Sequence, residues 1–330
     1  MSQTHFLMGA LLLGTILAGC NEPATVPTQA SGAAPAESPV EPQQVATTVS
    51  SGRDLPQLFD CVREDGGVLI AAHRGGPAPG FPENAVETFQ HALDAGIPMM
   101  EIDVAESRDG VLFLMHDRSL TRTTTGEGPV ADTGWSEISQ LRLVDNEGRV
   151  TSFNPPTLAE ALEWAVETGA ILELDRKETT SFRNIIDEVR AAGAENNVII
   201  ITYSDEEAWQ VAEIAPELMM TAGVGNREHE AALLEGGVDP DKLVAWTGTR
   251  EPSFGKWRGL ASKNIESAFG TLGRPGERLD DQYWADGVPS EHVSLIENGL
   301  VLLATDTPYR LVGEDGLPTR FVNATETCLE

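Results

Sequence analysis

Between residues 73 and 117 stand His73, Arg74, His116 and several carboxylates, most of them at the end of a short apolar run. The run from Val68 to Ala72 ends in His73-Arg74-Gly75-Gly76, a second carries Glu101-Ile102-Asp103, and a third, Val111 to Met115, ends in His116-Asp117. On a strand Glu101 and Asp103 point the same way, as a divalent cation with hard oxygen ligands requires. Two imidazoles near such a cation suit metal-assisted acid and base chemistry, one ring taking a proton and the other giving one. Arg74 adds a planar fork that matches phosphate oxygens. Glu83, in Pro82-Glu83-Asn84, reads as a carboxylate at a helix N-terminus. His5, His91, His229 and His292 read as solvated or packing residues.

Side chains so placed need elements that carry strand ends to one rim. Apolar or β-branched runs lie at Val68 to Ala72, Met99 to Ala105, Val111 to Met115, Ile171 to Leu174, Val198 to Tyr203, Met219 to Val224, Leu243 to Thr247, Ser267 to Leu272 and Leu300 to Thr305. The second and third are separated by a short connection ending in Asp109-Gly110, which makes a hairpin, because a parallel crossover needs about a dozen residues. Without that arm eight runs remain. Helical spacing fills most of the gaps, at Thr157 to Glu167, Thr180 to Ala192, Glu206 to Ala215, Glu228 to Gly236 and Glu291 to Asn298. Strands alternating with helices predict an α/β fold, a (β/α)8 TIM barrel with a short β-hairpin extension after the second strand. In such a barrel His73, Glu101, Asp103, Asp175 and Asp306 share the C-terminal rim.

The ordered set His73-Arg74-Gly75, Pro82-Glu83-Asn84, Glu101-x-Asp103, Asp109-Gly110, His116-Asp117 and Arg122-Thr123-Thr124-x-Gly126 resembles the glycerophosphodiester phosphodiesterase family, here in the form of a bacterial lipoprotein. Pro156-Thr157-Leu158, Asp175-x-Lys177 and Thr305-Asp306-x-Pro308 extend the resemblance over nearly everything after residue 65. The resemblance implies hydrolysis of a small-molecule glycerophosphodiester to glycerol 3-phosphate and an alcohol, with Ca2+ or Mg2+ held by Glu101, Asp103 and Asp175. It implies His73 and His116 as general acid and base, and Arg74, Glu83, Lys177 and Trp246 as substrate-binding residues. Asp175 is preferred to Glu173 as the third ligand, because the alternative register puts an anion where Lys177 should face phosphate. Glu173 then sits one layer lower, as a partner of Lys177 or of a metal-bound water. The family's tryptophan wall usually lies on the next-to-last strand, whereas here that strand reads Phe269-Gly270-Thr271 and the Trp-Thr pair is Trp246-Thr247 on the strand before. Related readings on the same barrel are a phospholipase-type activity or a non-catalytic envelope binding lipoprotein.

Residues 1–19 read as a lipoprotein signal peptide, with an apolar core from Phe6 to Ala18 and Leu17-Ala18-Gly19 directly before Cys20, the residue expected to carry lipid. No Lys or Arg precedes Phe6. Residues 20–55 form a Pro-, Ala- and Thr-rich linker unable to bury a core, and residues 56–330 the barrel domain. The expected location is the bacterial cell envelope, on the outer membrane facing the periplasm, with membrane contact through the lipid anchor alone. With 52 acidic and 22 basic residues, net −30, the chain excludes a nucleic-acid partner, and any anionic substrate must meet local positive charge. Cys61 and Cys328 invite a disulfide in an exported protein, since the two ends of a closed barrel meet.

Overall fold

The computed structural model describes residues 52–329. The signal peptide, Cys20 and nearly all of the linker lie outside the described residues. A helix Leu55–Asp65, capped at its start by Asp54, opens the described part, so the folded chain begins slightly before residue 56.

Nine strands follow in the described residues: β1 Leu69–Ala72, β2 Met99–Glu106, β3 Leu112–Leu114, β4 Ile171–Arg176, β5 Val198–Ile201, β6 Met219–Gly223, β7 Leu243–Trp246, β8 Glu266–Gly270 and β9 Leu302–Thr305. Eight of them, all but β3, are parallel neighbours in a continuous ring, which the β1–β2 and β1–β9 pairings close. The barrel is thus a TIM barrel, and β3 is the hairpin arm, antiparallel to the end of β2 with Ala105 opposite Phe113. Helices cross between the strands, among them Val86–Asp94, Leu158–Thr168, Phe182–Ala192, Asp205–Ile214, Arg227–Glu235, Phe254–Ala261 and Ser290–Glu297. Buried on both faces, the strands read as nearly unbroken apolar runs.

Alternation along the strands sorts two cores. Ile70, Ala72, Met100, Ile102, Leu172 and Leu174 face the helices. Leu69, Ala71, Met99, Ile171, Ile199 and Met219 fill the barrel interior. The same parity carries the interior face upward from Met99 to Glu101 and Asp103, from Ile171 to Glu173 and Asp175, and from Ala71 to His73. The interior is therefore apolar at its base and acidic at its rim.

The helix Leu55–Asp65 plugs the base, where Leu55, Leu58, Phe59 and Val62 join the interior core. Arg63 reaches Glu266 at the start of β8, at 3.1 Å. Burial nevertheless pushes the Glu266 carboxyl up to about 7. The helix Thr319–Leu329 packs beside this plug, and its Thr325 hydroxyl bonds both Val68 N and Val68 O at 3.0 Å. Cys61 and Cys328 are joined in a disulfide with their Cα atoms 5.8 Å apart, so the bridge ties the plug helix to this last helix rather than β1 to β9. Closing so long a loop stabilises by about 3–5 kcal/mol on the chain-entropy account. Unreduced peptide mapping is expected to recover a Cys61–Cys328 linked peptide, and Cys61→Ser to lower stability by that amount. Two free alkylated thiols refute the bridge.

Candidate active site

Strand parity and the loops after the strands bring His73, Glu101, Asp103, His116, Asp175 and Lys177 to one cavity of about 420 Å3 at the C-terminal mouth. Its floor and far wall are Glu173, Thr202, Tyr203, Thr221, Trp246 and Leu272. Single oxygens of Glu101, Asp103 and Asp175 all lie within 4.8 Å of one another. The pairing of β2 with β4 sets Asp103 beside Asp175 and Glu101 beside Glu173, which leaves Glu173 one layer down.

Three buried carboxylates at one point repel one another. Burial and the Asp103 charge push the Glu101 carboxyl up to about 8. Asp103 goes the other way: burial alone would raise it, but the Lys177 ammonium, His116 and the Asn84 hydrogen bond together hold it below its ordinary value. Lys177 Nζ stands 2.5 Å from Asp103 Oδ1 and 2.6 Å from Asp175 Oδ2. The Tyr203 hydroxyl donates to Asp175 at 2.9 Å. Asn84 grips Asp103 twice, its Nδ2 donating to Oδ2 at 2.6 Å and its Oδ1 accepting from the Asp103 amide at 2.9 Å. It does so from a left-handed backbone, φ 58°, which Asn tolerates better than most residues. A donor set of three carboxylate oxygens whose like charge already draws an ammonium fits a hard divalent cation.

Each histidine is oriented by a carboxylate. His73 Nδ1 lies 2.6 Å from Asp306 Oδ1 and His116 Nδ1 lies 2.7 Å from Asp117 Oδ1. Carboxylates only accept, so Nδ1 carries the proton in both rings and Nε2 is the reactive nitrogen. Burial would lower the His73 pKa, but the Asp306 hydrogen bond and the Glu101 charge raise it overall. Burial likewise opposes ionisation of Asp306, yet the bond from His73 holds its carboxyl at about 2. Asp306 is itself anchored by Gly273 N at 2.9 Å and Arg278 Nη1 at 3.0 Å, and its amide donates to Asp280 at 2.8 Å.

The turn after β1 is tight. Arg74 is left-handed at φ 53°, which aims its amide at Glu101 Oε2, 2.8 Å away. A Cβ on Gly75 would lie 2.2 Å from the Phe89 ring, so this turn requires glycine there.

Arg74 and Glu83 stand behind the cavity rather than on its wall. Arg74 Nη1 donates to both oxygens of Glu83, at 3.1 and 3.2 Å, and its Nε is buried without a hydrogen-bond partner, 3.9 Å from Asp103. Arg122 grips Glu83 with two bonds, 2.7 and 2.8 Å, and Asp117 with two more, 2.6 and 2.9 Å. The Asp117 carboxyl is consequently held far below its usual range, chiefly by Arg122. Glu83 is thus the centre of an arginine clamp that steadies His116 through Asp117. Glu173 does not meet Lys177; it accepts from the Thr221 hydroxyl, and burial pushes its carboxyl up to about 7. Lys177 and Trp246 do line the cavity. Asn84, Asp117 and Arg122 are supporting residues to which the sequence assigns no place in the site, and Asp306, expected on the rim, proves to be the partner of His73. Their signal lay in the motifs around Glu83, His116 and Thr305, whose polar members have no role on a solvated loop.

Comparison with known proteins agrees with this geometry. Residues 73–221 match the glycerophosphoryl diester phosphodiesterase family. A glycerophosphodiester phosphodiesterase of Caldanaerobacter subterraneus is 30% identical over 156 residues, 46% of this chain and 64% of that protein. The chain thus spans less than two thirds of the length of the first curated relatives it matches. The crystal structure of a glycerophosphoryl diester phosphodiesterase from Parabacteroides distasonis superposes with a TM-score of 0.71 at 27% identity, over 85% of this chain and 94% of that one. A phosphodiesterase of Oleispira antarctica, solved with the product sn-glycerol-3-phosphate, shares the fold at a TM-score of 0.58 and 20% identity, over 75% of this chain and 96% of that one. Residues 73–221 thus resemble the glycerophosphoryl diester phosphodiesterase family, and the barrel in which they sit is the fold of the Parabacteroides structure.

Proposed function

We propose that this protein hydrolyses water-soluble glycerophosphodiesters to glycerol 3-phosphate and an alcohol. One observation carries the reading: two imidazoles, each fixed at Nδ1 by a carboxylate, present Nε2 to a cavity whose rim holds three buried carboxylates. Kinship with the phosphodiesterases supports it, and so does the Oleispira relative's bound product.

Glu101, Asp103 and Asp175 would hold a divalent cation, which when bound neutralises phosphate charge and lowers the pKa of a coordinated hydroxyl. One histidine Nε2 takes the proton of the attacking glycerol hydroxyl as its oxygen bonds to phosphorus, the other gives a proton to the alcohol oxygen as its bond to phosphorus breaks, and water then opens the cyclic phosphate to glycerol 3-phosphate with the two roles exchanged. Lys177, the cation on the cavity wall, screens the approaching phosphate from the carboxylates. Asp306 and Asp117 keep each ring in the tautomer that turns Nε2 inward, and stabilise the imidazolium when it forms.

Replacing either His73 or His116 by Ala is expected to leave the fold intact and to lower turnover by about 10²–10⁴-fold. Asp306→Asn removes the charge that favours the His73 imidazolium, so the limb of the pH–rate profile belonging to His73 moves to lower pH. An unmoved profile, or near-wild-type rates in both alanine variants, places the chemistry elsewhere.

Glu101 must lose its proton to ligate. With its carboxyl at about 8, binding below that pH releases a proton, and affinity falls by up to about tenfold per pH unit as the solution is acidified. Calorimetric titration with Ca2+ and Mg2+ checks this slope. Asp175→Asn is expected to weaken binding far more than Glu173→Gln; the reverse order makes Glu173 the third ligand.

We further propose that the protein is tethered by lipid at Cys20, from the Leu-Ala-Gly-Cys sequence and the linker that follows. Cell fractionation is expected to find the protein with membranes and Cys20→Ala soluble. Equal solubility of the two removes the anchor.

A further inference from the structure

The cavity has two unlike halves. His73, Glu101, Asp103 and Asp175 line one side, while β6 to β8 contribute Gly223, Trp246 and the following Leu272 on the other. On the hydrolysis reading, on which this inference rests, the glycerol hydroxyls need the polar half, so the alcohol lies against the neutral one.

Trp246 ends β7 between two strands that treat it differently. On the β8 side its indole lies over the Cα of Gly270. A Cβ added to Gly270 would stand 2.8 Å from Cη2 and 3.2 Å from Cζ2 of the ring, and 3.0 Å from Thr249 Cγ2. Contacts under about 3 Å force something to move, since close-packed interiors leave no slack. On the β6 side Gly223 pairs in register with Trp246, and a Cβ there would meet nothing closer than His229 Cε1 at 4.0 Å. The indole is therefore wedged against β8 and free towards β6, and the free direction leads over the cavity.

Backbone conformation does not explain the glycine at 270. Its φ is outside the left-handed region, and it sits in an ordinary parallel pairing, with its amide bonded to Gly248 O at 3.0 Å. What its missing side chain provides is room for the indole to lie back from the cavity.

We propose that Gly270 is the specificity-determining residue of the alcohol side: by letting Trp246 lie over β8, it sets how bulky a leaving alcohol the cavity admits. A methyl at position 270 turns the indole towards Gly223 and shortens the pocket. Small alcohols still fit and bulky ones do not.

Glycerophosphoethanolamine and glycerophosphocholine test this, because their alcohols carry the same charge and differ by three N-methyl groups. Gly270→Ala is expected to lower kcat/KM for the choline ester relative to the ethanolamine ester by roughly tenfold or more, mainly through KM. In a Trp246→Ala background the same substitution should leave that ratio unshifted, since the indole that it would turn over the cavity is gone and only the Thr249 methyl, at 3.0 Å, remains to give way. An unchanged ratio in Gly270→Ala, or an equal shift in the double variant, overturns the proposal. If Gly270→Ala alone destabilises the barrel, recovery of Tm in the double variant supports it and failure to recover overturns it. A wild-type protein that hydrolyses neither ester refutes the hydrolysis reading itself. The crystal structure of Gly270→Ala then decides the packing: an indole turned towards Gly223 supports the inference, and one still lying over residue 270 overturns it.

Discussion

Mutual repulsion among three buried carboxylates is the constraint around which this rim is arranged. Glu101, Asp103 and Asp175 come together because strand parity turns the interior face of β2 and β4 from Met99 and Ile171 to acid within a few residues. Burying like charges is expensive unless each is paired or hydrogen-bonded. The nearby groups meet that demand in different ways. Lys177 supplies a charge, Asn84 and Tyr203 supply hydrogen bonds, and the Arg74 amide supplies a peptide donor. Only a left-handed Arg74 aims that amide correctly, so local backbone strain is sustained by the carboxylate that it serves.

A second set of interactions lies outside the cavity and fixes the two imidazoles. On one side Arg278, Gly273 and Asp280 hold Asp306, which holds His73. On the other Arg122 joins Glu83 to Asp117, which holds His116. Each chain alternates cation or amide with carboxylate, so no charge is left alone. Placing supporting groups on rigid strand ends and tight turns keeps a reactive nitrogen within the small tolerance that proton transfer allows. This also accounts for Arg74 and Glu83: both belong to the arginine clamp, where their charges cancel.

Much of this was legible in the sequence, for identifiable reasons. Apolar runs separated by helical spacing disclose a parallel barrel, and the Asp109-Gly110 turn discloses that one run is a hairpin arm. Two-residue spacing puts Glu101 with Asp103 and Asp175 with Lys177 on one face. Pairings distant in the chain were not legible. His73 meets Asp306 across a separation of 233 residues, and Arg122 reaches Glu83 across 39, distances at which neither periodicity nor propensity carries information. The plug helix Leu55–Asp65 and the closing helix Thr319–Leu329 are not legible as elements, because each is short and lies outside the alternation of runs and helical spacing that marks the barrel.

The plug has a consequence for how this barrel can be mounted. Asp54 and the helix after it sit against the base, where Leu55 N bonds Asn196 just before β5, and the disulfide brings Cys328 to the same face. The described chain therefore enters and leaves on the side of the barrel away from the cavity, and a segment joined on at either point is connected through the base and not through the loops that form the cavity.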